Sequence, residues 1–165
     1  MSNRATATPD RYRPNVTVAC VIEAENRFLL VEEWIDGEQK FNQPAGHLEA
    51  GETLSHACAR EVHEETGLII TPQHLLRIDQ FSASPALAFL RFTFGCQLSC
   101  CQASMPQDSA ISATHWLSYD EICQRSPRLR SPLVMEAIHS YQQGQRYPLS
   151  LLSSQFLALA GNAKP

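Results

Sequence analysis

A short acidic segment, REVHEETG at residues 60–67, is the feature that most limits how this chain can fold. Residues 52–66 have the pattern of a helix, and Gly67 follows at the position where glycine commonly ends one. At about 100° per residue, three glutamates of this helix share one stripe with its apolar residues. The glutamates are Glu61, Glu64 and Glu65, and the apolar residues are Leu54, Ala57, Cys58 and Val62. The acidic side chains are therefore expected to point toward the core or into a cleft at its edge.

The opposite face of the predicted helix holds Ser55, His56, Ala59, Arg60, His63 and Thr66. Burying one unpaired carboxylate is costly, and three neighbouring carboxylates raise one another's pKa. A cation among them would remove both costs, and oxygen ligands without thiolates suit hard divalent ions such as Mg²⁺ or Mn²⁺. The alternative, on this segment alone, is a helix turned so that the glutamates are solvated.

The rest of the chain predicts an α/β fold in which strands precede and follow the central helix. Strands are expected at residues 16–24, 28–35, 74–82, 87–98 and 113–118, with a hairpin turn at Asp36-Gly37. Residues 119–125 begin like a helix, and residues 133–144 form a second helical pattern that ends in a glycine. We expect a disordered extension at residues 1–13, one domain at 14–150 and a tail at 151–165.

Composition excludes several classes of protein. The net charge is -4 and the pI is about 5.8, so a nucleic-acid-binding surface is not expected. No stretch reaches the roughly 20 apolar residues of a membrane span. The six cysteines contain no Cys-x-x-Cys pair, and no secretory signal is expected because residues 1–15 have no apolar run. They are expected to be reduced thiols of a cytoplasmic protein, either a monomer or a homodimer.

Residues 46–68, GHLEAGETLSHACAREVHEETGL, carry a longer motif. It resembles the Nudix box, G-x5-E-x7-R-E-U-x-E-E-x-G-U with U an apolar residue. All fixed positions match, at Gly46, Glu52, Arg60, Glu61, Val62, Glu64, Glu65, Gly67 and Leu68. The resemblance implies a Nudix hydrolase, with an α/β/α sandwich, a mixed sheet and a loop-helix-loop catalytic motif. Residues 42–54, 89–94 and 129–149 further resemble the NudJ-type subgroup of Nudix phosphatases.

The resemblance implies a Mg²⁺-dependent enzyme, with Mn²⁺ as the alternative ion, in which metal-activated water attacks phosphorus. Expected substrates are nucleoside tri- and diphosphates, or small pyrophosphates such as hydroxymethylpyrimidine diphosphate. Glu64 and Glu65 would bind the metal together with the backbone carbonyl of Gly46. Glu61 would bind metal or act as general base, since family members differ. Glu52 and Arg60 would pair and orient the site.

Three residues outside the glutamate cluster are further candidates. Asp108 lies in a loop before a late strand, where some Nudix enzymes carry another acidic metal ligand; its alternative is a turn-forming aspartate. Arg91, on a strand over the cleft, would hold a terminal phosphate, with a structural ion pair as the alternative. His47 would lie near the phosphates because it follows Gly46.

Two other kinds of protein remain as alternatives at this point. A ligand-sensing Nudix module would bind a nucleotide without turnover, but such modules commonly lose box glutamates, and none is lost here. A calcium-binding structural domain would need acidic ligands alternating along a loop, and the sequence has no such loop.

Overall fold

The computed structural model describes residues 12–158, and over that range it has seven strands and three α-helices. The strands are β1 (Asn15–Ala24), β2 (Arg27–Ile35), β3 (Glu38–Asn42), β4 (Ala45–His47), β5 (His74–Ser84), β6 (Leu87–Gln97) and β7 (Ile111–Ser118). The helices are α1 (Leu54–Thr66), α2 (Tyr119–Gln124) and α3 (Leu133–Gln142), with 3-10 turns at Ser126–Arg128 and Leu149–Leu151. The extension predicted at residues 1–13 lies outside the described residues except for its last two.

The described strands form one mixed sheet. Its order is β3-β2-β1-β6-β5, with β4 paired to β1 and β7 paired to β2. Strands β1 and β6 run parallel, from Asn15↔Phe89 to Glu23↔Gln97, and the other pairs are antiparallel. The predicted hairpin is present, because a two-residue turn at Asp36-Gly37 joins β2 and β3.

Alternate residues of the central strand β1 face two separate cores. One core packs β1 against α1 and contains Val18, Cys20, Ile22, Ala57, Cys58 and Val62. The other packs the opposite face against α2 and α3 and contains Val21, Leu30, Ile122, Val134 and Ile138. Helices therefore cover both faces of the sheet, and the predicted α/β/α sandwich is confirmed.

Helix α1 begins two residues later than predicted, and one residue of its predicted polar face is buried. Thr53 is its N-cap and accepts a hydrogen bond from the His56 N–H at 3.1 Å, so the helix begins at Leu54. At the other end the Gly67 N–H donates to the His63 carbonyl at 2.7 Å. Thr66 was expected on the polar face but is fully buried. The Thr66 hydroxyl donates to the Val62 carbonyl, and the Thr66 carbonyl accepts from the Met105 N–H at 2.8 Å.

The chain around residue 150 packs on the domain. Leu149 and Leu152 lie against the core on the α1 side, and the Leu75 and Tyr147 backbones exchange hydrogen bonds of 2.9 Å just before them. Between residues 12 and 158, no helix has the length and apolar character that crossing a membrane requires. All six cysteines lie in this range and are unpaired.

Candidate active site

The backbone of β4 lies directly beside the glutamate face of α1. Antiparallel pairing of Val18 with Gly46 holds β4 against the central strand. A Cβ atom at Gly46 would collide with the carboxylate of Glu61. Because a residue with a side chain would not leave room for Glu61 here, the glycine of the motif explains how a carboxylate approaches the β4 backbone so closely.

Glu65 is the most buried of the motif's glutamates, with 7% of its surface exposed. Its carboxylate accepts a hydrogen bond from the Ala45 N–H at 2.9 Å. Burial is the main cause that raises the pKa of Glu65 to about 8; the Ala45 bond lowers it, and the charges of Glu61, Glu33 and Asp108 raise it. The pKa shift therefore reports mainly that this carboxylate is buried, and secondly that other carboxylates lie near it.

Arg60 connects the acidic side chains to one another. Its guanidinium makes a two-pronged contact with Glu52, at 2.8 and 3.1 Å, which is the pair that the resemblance implied. It also donates to Glu61 at 2.8 Å, to Glu64 at 3.2 Å and to the His47 carbonyl at 2.9 Å. These hydrogen bonds raise the pKa of Arg60 and lower that of Glu52. Although Arg60 begins on the polar side of α1, its long side chain folds back over the end of the acidic face.

Glu61 retains a raised pKa in spite of Arg60. Burial is the main cause, and the charges of Glu64 and Glu52 add to it. A carboxylate whose pKa lies above its usual value is a better proton acceptor near neutral pH. Glu61 therefore has the electrostatic character expected of a general base.

The donor chemistry of this cluster fits a hard divalent cation. Glu61 lies against the backbone of Gly46, Glu65 accepts from the Ala45 N–H, and Glu64 lies on the same helix, with no thiolate in these contacts. With the side chains as placed, no three acidic, histidine or cysteine residues between 12 and 158 form a metal-ion cage. The guanidinium of Arg60 instead bridges Glu61 and Glu64. The raised pKa of Glu65 is the observation that favours a cation, since positive charge would relieve it.

Asp108 lies in the loop that leads to β7, and this loop is tied to the end of α1. The Asp108 N–H donates to the Glu64 carbonyl at 2.9 Å, and its side chain accepts from the Ala110 N–H at 2.8 Å. The side chain thus makes the turn contact that was the alternative to metal binding. It is also close enough to Glu65 to raise the pKa of that residue.

A cleft of about 430 Å³ opens beside the glutamates, between β4 and the outer ends of β5 and β6. Gly46 and His47 form one wall, and Arg91 lies at the base. Phe81 and Phe89 form another wall, where their rings stack at 5.0 Å. His47 is exposed and its ring lies 6.5 Å from that of Phe89. Two of the predicted substrate residues therefore line one cavity next to the acidic cluster.

The cleft also contains an ion pair that the sequence did not assign to the site. Glu33 accepts from Arg130 at 3.3 Å, and both residues line the cleft. From strand alternation alone, at most one of Glu32 and Glu33 would approach the site, and a solvated edge would be the better interpretation. The register between β2 and β7 shifts at Glu32 and Glu33, and such bulges commonly redirect side chains near functional sites.

Gln43 is a second residue that sequence reasoning missed. It is 1% exposed, and its side-chain oxygen accepts from Arg91 at 3.1 Å. The sequence feature that would have indicated Gln43 is its place in the segment NQPAGH, a polar residue three positions before the motif glycine Gly46.

Comparison with known proteins agrees with this geometry. The NUDIX domain model matches residues 11–137. Proteins described as Phosphatase NudJ from Escherichia coli and Shigella flexneri are each 52% identical over 141 residues, covering 86% of this chain and 92% of the relative.

Solved structures show the same fold. A NUDIX hydrolase from Nitrosomonas europaea is 46% identical with a TM-score of 0.79, over 86% of this chain and 97% of that one. The NUDIX domain of Shewanella oneidensis NrtR, complexed with ADP ribose, has a TM-score of 0.71 at 16% identity, over 85% of this chain and 94% of that one. The chain therefore belongs to the Nudix hydrolases, enzymes that cleave phosphoanhydride bonds.

Proposed function

We propose that this enzyme is a Mg²⁺-dependent phosphatase or pyrophosphohydrolase of small phosphorylated compounds, with Mn²⁺ as the alternative ion. Nudix hydrolases generally use divalent metal ions. Glu61, Glu64, Glu65 and the carbonyl of Gly46 would hold the ion, and Asp108 is a further candidate ligand. The observation that carries the proposal is the buried Glu65, whose pKa of about 8 marks a site that a cation would stabilise.

When bound, the ion would lower the pKa of water and neutralise phosphate charge. The protein's own residues supply the remaining functions. Glu61 takes the proton of the attacking water, and its raised pKa suits that role. Glu52 and Arg60 keep the carboxylates in place through the two-pronged contact between them.

The cleft favours a flat organic group that carries a short phosphate chain. Its volume of about 430 Å³ is within the range of small-molecule sites. Arg91 supplies positive charge at the base, His47 lies at the wall nearest the glutamates, and Phe81 with Phe89 offers an aromatic surface. We infer that nucleoside tri- and diphosphates, or hydroxymethylpyrimidine diphosphate, are substrates. The name Phosphatase NudJ of the relatives supports release of orthophosphate.

Three further expectations belong to this proposal. Residues 14–150 would form the catalytic domain, followed by a tail at residues 151–165. The enzyme would act in the cytoplasm, which unpaired thiols favour. It would work on small molecules, without a nucleic-acid or membrane partner, as a monomer or homodimer.

A substrate screen with phosphate detection tests the function. We expect nucleotides, nucleotide sugars, dinucleoside polyphosphates and hydroxymethylpyrimidine diphosphate to separate into substrates and non-substrates in the presence of Mg²⁺. Activity should vanish with EDTA and return with added Mg²⁺. Hydrolysis that resists the chelator would contradict the metal assignment.

The variant Glu64→Gln tests the assigned site in the same assay. We expect turnover to fall at least about 100-fold, a loss of about 2.7 kcal/mol in transition-state stabilisation. Glu49→Gln is the matched control, since Glu49 is an exposed glutamate of the motif's loop. A near-normal rate for Glu64→Gln, with the fold intact, would refute its role.

A further inference from the structure

Arg91 is a buried cation that forms no ion pair with any residue between 12 and 158. It is 7% exposed, and among residues 12–158 its side chain makes one hydrogen bond, to Gln43 at 3.1 Å. Its Nε is buried without a partner. Asp79 lies opposite Arg91 in the sheet, but both of its carboxylate oxygens accept from Arg77, at 2.6 and 2.8 Å. Buried charges are normally paired, so Arg91 has capacity left for an anion in the cleft.

Gln43 holds this arginine from a rigid position. Its Oε1 accepts from Arg91, and its Nε2 donates to the Val134 carbonyl at 2.8 Å in the first turn of α3. The next residues are also fixed, because the Pro44 carbonyl accepts from the Cys20 N–H at 3.0 Å and the Ala45 N–H donates to Glu65. One segment therefore connects the arginine of the cleft, helix α3 and the glutamate cluster.

We propose that Gln43 is a positioning residue that orients Arg91 toward the anionic end of the substrate. The proposal rests on the function inferred above, in which a phosphorylated compound occupies the cleft. An amide suits this role because it fixes the guanidinium without cancelling its charge, whereas a carboxylate would compete with phosphate. Burial lowers the pKa of Arg91 to about 10, so the group keeps its charge at neutral pH.

A double-mutant cycle tests whether Gln43 acts through Arg91. We expect Gln43→Met to raise KM for the best substrate about tenfold while kcat changes less than about threefold, because ground-state anion binding is lost. Arg91→Met should raise KM at least as much. In the Arg91→Met background, adding Gln43→Met should change KM less than about twofold, since the two residues form one unit. Multiplicative effects of the two changes would overturn the proposal.

A control variant and a second measurement separate positioning from general damage. Ser140→Ala removes another buried polar contact of α3, a 3.3 Å bond from Arg77, without touching Arg91, and should leave KM unchanged. Binding of pyrophosphate by calorimetry should weaken in Gln43→Met and not in Ser140→Ala. Equal weakening in both variants would show that Gln43 serves only the packing of α3.

If Gln43→Met does not fold, Gln43→Glu takes its place, because it keeps the size, the polarity and the contact with Arg91. Its carboxylate should neutralise the guanidinium and raise KM about tenfold. An unchanged KM in folded Gln43→Glu would overturn the proposal. A wild-type protein that hydrolyses none of the screened compounds would instead refute the proposed function.

Discussion

At the scale of single residues, the site depends on opposite charges held in unequal environments. Glu65 is buried with one hydrogen bond from the backbone, whereas Glu64 is about half exposed and shares Arg60 with two other carboxylates. Neighbouring glutamates of one helix thus have different electrostatic environments, because burial disfavours a charge that solvent or a guanidinium would stabilise.

The raised pKa of Glu65 predicts a stability gain in Glu65→Gln when metal is absent. The pKa is about 8 in the folded protein against 4.5 as the reference value, so the folded state binds more protons between these limits. Stability therefore falls as pH rises from 4.5 toward 8, and a neutral amide avoids that loss. In EDTA, the variant should exceed wild type by on the order of 1–3 kcal/mol at pH 8 and by less at pH 5.

Thermal denaturation in EDTA at the two pH values measures this difference. Glu49→Gln, which removes an exposed carboxylate, should show no gain that grows with pH. A Glu65→Gln variant less stable than wild type at pH 8 would contradict the burial argument.

At the scale of elements, the close contact between β4 and α1 creates the site. The strand is only three residues long, yet its backbone contacts Glu61 at Gly46 and Glu65 at Ala45. Pairing with β1 fixes its position, and apolar packing of α1 on β1 fixes the helix beside it. The separation between strand and helix therefore decides where the carboxylates meet.

Gly46→Ala tests this contact. The added methyl group would overlap the Glu61 carboxylate, so that side chain must move out of the site. We expect kcat to fall about 10- to 100-fold, because displacement of one catalytic group by about 1 Å has effects of this size. Steady-state kinetics measures the fall, and a circular dichroism spectrum checks the fold.

Ala50→Ser is the control for this variant, since Ala50 is exposed in the same loop and its change should leave kcat unaltered. Wild-type kcat in Gly46→Ala would show that Glu61 does not need its place against β4.

At the scale of the whole molecule, two cores hold the two halves of the site. The core on the α1 side supports the glutamates, and the core on the α3 side supports Gln43 through Val134 and thereby Arg91. The central strand β1 contributes to both cores, so the proposed metal site and the proposed anion site share one scaffold.

We therefore expect Mg²⁺ to stabilise the whole fold. An ion that binds the folded carboxylate cluster and not the unfolded chain adds about 2.7 kcal/mol at 100 times its Kd. The Tm should rise when Mg²⁺ is added and fall back to the metal-free value when EDTA is added. The rise should be larger at pH 8 than at pH 6 because the ion competes with the proton on Glu65. Glu64→Gln should reduce the rise, and a Tm that does not respond to Mg²⁺ in wild type would argue against a cation at this cluster.

Local patterns predicted most of the elements and the acidic face of α1. The predicted helix start at residue 52 was wrong by two residues because Thr53 caps the helix. The prediction that Thr66 lies on the polar face was wrong because the loop near Met105 covers this residue. The roles of Glu33 and Gln43 in the cleft could not be predicted from the sequence, for a different reason. Their roles depend on partners at positions 130, 91 and 134, and no local period links residues so far apart in the chain.

The sequence by itself determined the family, the sandwich of helices on a mixed sheet, and the stripe of glutamates aligned with the apolar residues of α1. These follow from periodicity and from a motif whose spacing is local. Only the tertiary structure decided that the Gly46 backbone lies against Glu61, that Glu33 faces the cleft, and that Gln43 connects Arg91 to α3. Those contacts join distant parts of the chain, and sheet register and helix packing alone bring them together.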